Sequence, residues 1–336
     1  MVEKKTKSDK EKYGAHSKID HEKIKEILKN VEDEVGKAVV GQKEIVRGII
    51  RAILCDGHVL VEGVPGVAKT FIIRAISYVL GCESKRVQFT VDLLPTDITG
   101  IQTYVPKKGF EVLKGPIFAN FILADEINRS PPKTQSALLE AMQEKSVTIA
   151  RETYSLPVPF FVMATENPLE NSGVYQLPEA QVDRFLFKLL IDYPKYDEEE
   201  MILDQNMTLK SFDSFNLKPI LSPGKILELQ GEAKKVFASG AIKRYILDII
   251  TLTRSKEFEL SKYVSYGASP RASIALFIAA KAEALMNGRD YVIPGDVRVV
   301  AYPILRHRLI LNYQAEAENY TADKIIKSIL NKITAP

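Results

Sequence analysis

A short apolar run, HVLVEG, leads into the octet Gly63-Val64-Pro65-Gly66-Val67-Ala68-Lys69-Thr70, and an amphipathic run, FIIRAISYVL, follows at once. Strand, glycine-containing turn and helix in that order make a phosphate-gripping loop, a device carried by layered α/β folds. In such a loop the backbone N–H groups and the helix N-terminus face the phosphates. Lys69 then adds a point charge at the β/γ oxygens, and the Thr70 hydroxyl is placed to ligate Mg²⁺. Gly63 and Gly66 let the backbone turn and approach closely. Ala68 stands where the strict pattern G-x-x-x-x-G-K-[ST] has its second glycine. A small residue entering a right-handed helix needs no positive φ, so the departure is physically tolerable.

Taken alone, the octet could be a plain strand–turn–helix with a chance lysine. A second feature argues against that. The segment FILADE, residues 121–126, runs four residues without charge and ends on Asp125 and Glu126. A strand of this kind delivers both carboxylates to the sheet's C-terminal edge, beside the loop. Asp125 is the expected magnesium holder, largely through water, and Glu126 the base or orienter for an attacking water. Phosphoryl transfer is mostly positioning and charge neutralisation. It calls for a further polar residue, and Asn167, just past the apolar run FFVMAT, suits that place. The plainer role for Asn167 is a turn before Pro168.

The rest of the chain supports a layered fold. Apolar residues at helical spacing predict one helix from Ile19 to Val35 and another from Gln42 to about Asp56. Five apolar runs, HVLVEG, KRVQF, FILADE, FFVMAT and FLFKLLI, alternate with helical or loop segments and predict a five-stranded, mainly parallel sheet. A helix after FILADE is expected to be capped by Ser130, with Pro131 in its first turn. Residues 146–156 read as a hairpin turning at Arg151–Thr153. Beyond Ile191, Pro194, Pro219 and Pro223 mark a linker, and from Lys225 only helices are expected. The chain therefore divides into a charged N-terminal tail (1–18), an α/β nucleotide-binding core (19–195), a linker (196–224) and a helical piece (225–336).

Bulk properties exclude little. A net charge of +3 is too small to argue for nucleic acid or a membrane surface. No apolar stretch approaches the ~20 residues that cross a bilayer, and the first residues contain no apolar signal core, so the cytoplasm is expected. Cys55 and Cys82 match no metal or redox spacing and read as two reduced thiols.

Three segments together resemble the MoxR branch of the AAA+ ATPases: GVPGVAKT with its alanine, FILADEINRSPPKTQSALLEAMQE, and ATENPLENSGVYQLPEAQVDRF. The resemblance covers roughly residues 20–310. It implies an αβα core plus a helical lid, ATP and Mg²⁺ as ligands, ATP hydrolysis, and assembly as a homo-oligomeric ring, typically a hexamer. By position, Asn167 is similar to the family's sensor-1 residue, and Arg184 in QVDRF resembles the arginine finger that reaches a neighbour's nucleotide. Arg271 in GASPRA resembles sensor 2, which contacts the γ-phosphate within its own subunit. Val40-Gly41-Gln42 is similar to the segment near adenine. Residues 94–116 and the hairpin at 146–156 resemble insertions that face the pore or substrate in related rings, with a purely structural role equally open.

Such rings are regarded as chaperone-like, maturing partners that often carry von Willebrand factor A domains. Three other roles are consistent with parts of the sequence: the ATPase subunit of a magnesium or cobalt chelatase, a nucleic-acid motor or transcription activator, and a scaffold that binds ATP without turning it over. The mild charge and the lack of a DNA-binding module or GAFTGA-like loop weigh against the motor. Glu126 and Arg184 weigh against the scaffold.

Overall fold

The computed structural model describes residues 21–64, 69–167, 175–206 and 212–336. Two amphipathic helices come first, α1 (His21–Gly36) and α2 (Lys43–Leu54). They are followed by β1 (Val59–Gly63), α3 (Lys69–Val79), β2 (Ser84–Gln88), the short α4 (Pro95–Thr99), and a hairpin of β3 (Gly100–Val105) and β4 (Gly109–Lys114). Next come β5 (Phe121–Asp125), α5 (Pro132–Glu144), a second hairpin of β6 (Ser146–Ile149) and β7 (Glu152–Ser155), then β8 (Phe161–Glu166), α6 (Glu179–Val182) and β9 (Phe187–Ile191). The C-terminal part holds α7 (Tyr196–Asn206), α8 (Pro223–Lys235), α9 (Gly240–Arg254), β10 (Val264–Tyr266) and α10 (Pro270–Met286). It ends with α11 (Pro294–Leu305), β11 (Ile310–Leu311), α12 (Tyr313–Ala317) and α13 (Ala322–Lys332).

The five predicted strands form one sheet in the order β2-β5-β8-β1-β9, and every pairing is parallel. β5 and β8 are buried along nearly their whole length because layers cover both faces, which is why they read as unbroken apolar runs. Alternate side chains go to opposite layers. Val59, Val61, Phe121, Leu123, Phe161 and Met163 pack with α1, α2 and α3, whereas Leu60, Ile122, Ala124, Val162 and Ala164 pack with α5. The register sets Glu62 of β1 beside Glu166 of β8, and Gln88 of β2 beside Asp125 of β5. Polar residues thus gather at the carboxyl ends of the strands, where open α/β sheets place their ligands.

The apolar cluster on the first face continues without a break into α8, α9, α10, α11 and α13. An ion pair ties the same junction. Arg51 of α2 and Glu283 of α10, each with a side chain about 95% buried, meet at 2.6 Å, and Arg47 joins them at 3.2 Å. The helical part therefore shares a core with the helices behind the sheet.

Four local expectations need correction. Ser130 does not cap α5: its hydroxyl donates to the Ile127 carbonyl, and the residue before the helix is Pro131. The 146–156 hairpin turns at Ala150 and Arg151, with Ala150 at φ 57°, while Glu152 and Thr153 already pair in β7. The segment taken as linker contains the helix α7, whose acidic first turn, Asp197-Glu198-Glu199, suits a helix N-terminus. Beyond Lys225 the chain is not purely helical, because β10 and β11 pair as a small antiparallel ribbon. Among the described residues no helix is long and apolar enough to cross a membrane.

Candidate active site

β1 ends on Gly63, where a Cβ would sit 2.7 Å from the Ile191 carbonyl oxygen of β9, so the strand end closes tightly only with glycine. Val64 follows, half-buried; Pro65, Gly66, Val67 and Ala68 lie outside the described residues. α3 then opens with Lys69 and Thr70, and the first N–H groups of any helix lack partners within it. The Lys69 ammonium donates to the carbonyls of Gly63 at 2.5 Å and Glu166 at 3.4 Å, which puts its charge between the ends of β1 and β8. Burial pushes this lysine below its ordinary range, and the carboxylates of Asp125, Glu126 and Glu62 pull it back up. Thr70 is exposed.

The acidic pair is held by a neighbouring strand. Thr165 of β8, fully buried, donates its hydroxyl to Asp125 Oδ1 at 2.7 Å and accepts the backbone N–H of Glu126 at 2.9 Å. Glu126 stands in the left-handed region, at φ 56° and ψ 52°. This conformation is uncommon for a residue with a Cβ, and here the bond to Thr165 holds it in place. The twist carries the Glu126 side chain off the strand direction, where Oε2 accepts from Gln88 Nε2 at 2.7 Å and from Arg129 at 2.9 Å. On the other acid, Oδ2 takes two donors from Arg86, at 2.7 and 3.1 Å. Two adjacent carboxylates therefore have separate partner sets.

Asn167 is buried directly after β8, one residue past Glu166, whose own carboxyl is raised from the ordinary range chiefly by burial. Val40 and Gly41 precede α2, and the Gln42 amide donates to the Asp192 carbonyl just past β9 at 3.3 Å. Gly41 has φ 77°, and a Cβ there would meet the Glu198 carboxylate of α7 at 2.7 Å. Helix α7 thus lies against the segment expected near adenine. The two arginines lie elsewhere than at the acidic pair. Arg184 is exposed and donates to the Leu139 carbonyl of α5 at 3.1 Å, while Arg271 in the first turn of α10 pairs with Asp183 at 3.3 Å. Neither contacts Lys69, Asp125 or Glu126 in the described hydrogen bonds and ion pairs.

Sequence reasoning missed Thr165, Gln88 and Arg86. A lone threonine inside the apolar run FFVMAT was a usable signal, because a buried hydroxyl needs partners. Arg86 and Gln88 fall two apart on β2 and so share a face, but nothing in the sequence shows that β2 pairs with β5.

At this edge Asp125 offers a carboxylate and Thr70, at the start of α3, an exposed hydroxyl, the two oxygen donors the sequence assigns to a metal. One carboxylate and one hydroxyl suit Mg²⁺ that arrives with a phosphate and keeps several waters, so the residues fit that ion. Among the described residues no group of three His, Cys, Asp or Glu side chains could hold a metal by itself.

Residues 58–187 match the model of the ATPase family associated with various cellular activities (AAA), and residues 257–329 match the AAA lid domain. The chain is 46% identical over 309 residues to the chaperone MoxR1 of Mycobacterium tuberculosis, covering 90% of this chain and 81% of that protein. The chain belongs to the MoxR family of AAA+ ATPases. Protein MoxR of Paracoccus denitrificans is 32% identical over 305 residues, with 85% of this chain and 89% of that protein covered. A crystal structure of an inferred ATPase from Cytophaga hutchinsonii superposes with a TM-score of 0.87 at 46% identity, covering 94% of this chain and 97% of that one. A magnesium-chelatase subunit ChlI homolog of Methanocaldococcus jannaschii is more distant, at 25% identity over 320 residues. That gap favours the MoxR reading over the chelatase one.

Proposed function

We propose that the chain binds Mg·ATP at the carboxyl edge of its sheet, hydrolyses it, and uses the cycle to remodel or mature partner proteins. One observation carries this reading. A lysine at the start of α3 and an acidic pair fixed by Thr165 meet at the adjoining ends of β1, β5 and β8. Residues 63–70 cradle the phosphates, with Lys69 at the β/γ oxygens. Thr70 and Asp125 would hold Mg²⁺, largely through water, and the bound ion would supply charge neutralisation for the phosphates. Glu126 orients and deprotonates the attacking water, assisted by Asn167. Val40, Gly41 and Gln42 flank the adenine.

Two roles require movement from the observed positions. Arg271 leaves Asp183 to reach the γ-phosphate of its own subunit. Arg184 releases the Leu139 carbonyl and enters the site of a neighbouring copy, so the active unit is a homo-oligomeric ring, hexameric by family habit. An arginine supplied in this way contributes a rate factor of ~10³–10⁵. Arg184→Ala is accordingly expected to keep ATP binding nearly intact while losing most turnover. The client is a separate protein; the name of the Mycobacterium tuberculosis relative supports a chaperone-type role, and a von Willebrand factor A domain protein is the partner class we favour.

Steady-state phosphate release tests the enzymatic reading. The wild type should release phosphate from Mg·ATP, and Glu126→Gln should bind ATP but release phosphate at least about a hundredfold more slowly. Equal release by the two proteins would remove Glu126 from the mechanism.

A further inference from the structure

The residue immediately before Arg184 is held by the helical C-terminal part. Asp183 follows α6, and its carboxylate is mostly buried. Its Oδ1 accepts from Arg308 Nε at 2.7 Å, and its Oδ2 accepts from Ser269 Oγ at 3.1 Å and from Arg271 at 3.3 Å. Ser269 is the N-cap position of α10, Arg271 lies in the first turn of that helix, and Arg308 lies shortly after α11. Asp183 is thus where the start of α10 and the residues just after α11 grip the segment that carries Arg184.

The two arginines on this carboxylate differ in kind. Arg308 is 7% exposed and spends every N–H it has: Nε on Asp183 Oδ1, one terminal nitrogen on the Leu186 and Ile304 carbonyls, the other on those of Asp183 and Phe185. A guanidinium has five donors, and all five are used, so Arg308 is a fixed anchor. Arg271 makes one contact with Asp183 through a side chain that is 60% exposed, at the longest distance of the three. Exposed pairs of this kind are weak and exchange readily. A γ-phosphate reached by Arg271, as proposed above, would therefore take it from Asp183 and leave Arg308 where it is.

We propose that Asp183 is a positioning residue that reports a subunit's own nucleotide state to the arginine it presents to its neighbour. The proposal rests on the trans-acting reading of Arg184 and on the γ-phosphate reading of Arg271 given above. Asp183 shares Arg271, and Arg184 donates to the Leu139 carbonyl of its own α5. When Arg271 turns to a γ-phosphate, Oδ2 loses a donor and the carboxylate settles on Arg308 and Ser269. Arg308 keeps the backbone fixed through the Asp183 and Phe185 carbonyls, so the change reaches Arg184 as the charge that Arg271 no longer neutralises next to it. The coupling is reciprocal, so docking of Arg184 on a neighbour eases the departure of Arg271.

The test compares wild type, Asp183→Asn, Asp183→Glu and Arg184→Ala, each measured for binding of a slowly hydrolysed Mg·ATP analogue, kcat and the Hill coefficient for ATP. Asp183→Asn keeps an oxygen for Arg308 and drops the charge that competes for Arg271. Its analogue affinity should rise by up to about fivefold, while kcat falls at least about tenfold and the Hill coefficient moves toward one. Asp183→Glu should restore much of the cooperativity. A purely structural residue would lose binding and turnover together; that parallel loss, or wild-type behaviour in every readout, overturns the proposal. If Asp183→Asn does not fold, Ser269→Ala removes one Oδ2 donor without touching Arg308. With Ser269 gone Oδ2 leans more on Arg271, so analogue affinity should fall about two- to fivefold while kcat at saturating ATP changes less; equal losses of both, or no change in either, overturn the proposal. Full turnover by Arg184→Ala would instead overturn the trans reading, and this inference with it.

Discussion

Thr165 donates its hydroxyl proton to Asp125 at 2.7 Å and accepts the N–H of Glu126 at 2.9 Å, so one buried side chain on β8 sets both acids at the end of β5. Replacing it by valine keeps the shape and removes both bonds. A hydrogen bond to a charged group is worth about 1.5–3 kcal/mol. Thr165→Val should therefore lower kcat by about ten- to a hundredfold, with a smaller change in ATP affinity, and Thr165→Ser should recover most of it. Phosphate release and analogue binding on the same preparations decide; an unchanged kcat would mean that Thr165 does not hold the pair.

Arg86 covers the second oxygen of Asp125. Its guanidinium must give way before a cation can use that oxygen, and its side chain is half exposed, so the pair is weak. Arg86→Gln should lower the Mg²⁺ concentration for half-maximal turnover by up to about fivefold. A rise in that concentration would show that Arg86 shapes the metal site instead of blocking it.

His58 gives a pH signature in stability. The imidazole is buried at the start of β1, accepts the Val162 N–H on Nδ1 at 3.1 Å and faces the Met142 carbonyl through Nε2 at 3.2 Å, which makes it the neutral Nε2–H tautomer. Burial lowers its pKa from 6.5 to about 4. Between those values the unfolded chain takes a proton that the folded chain refuses. Stability is therefore full above about pH 6.5 and falls as the pH drops toward 4, by about 3 kcal/mol for this group. His307, held well below its ordinary range chiefly by desolvation, acts in the same direction as the pH falls. Urea midpoints of wild type and His58→Gln across this range should converge at low pH; parallel curves would refute the assignment.

The parts of the fold legible in sequence were those whose cause is local. FILADE and FFVMAT read as strands because both faces of β5 and β8 are covered, and the acids showed at a strand end because charge there interrupts an apolar run. Helix α7 was illegible: it lacks an apolar stripe, and its defining contact, Glu198 against Gly41, joins residues far apart in the chain. The β10–β11 ribbon is three residues against two, too short to show a period. Gln88 and Thr165 act on the acids only through strand order and register. The pairing of Arg271 with Asp183 spans 88 positions and depends on how the helical part docks, so sequence could offer Arg271 a phosphate but not the carboxylate it pairs with in the fold.

Calorimetric titration of Mg·ATP into the folded protein bears most directly on the central claim, that Lys69 and the acidic pair form a triphosphate site. The wild type should take up nucleotide with measurable heat, and Lys69→Ala should bind at least about tenfold more weakly. A folded wild type that gives no heat, or a Lys69→Ala variant that binds equally well, would contradict it.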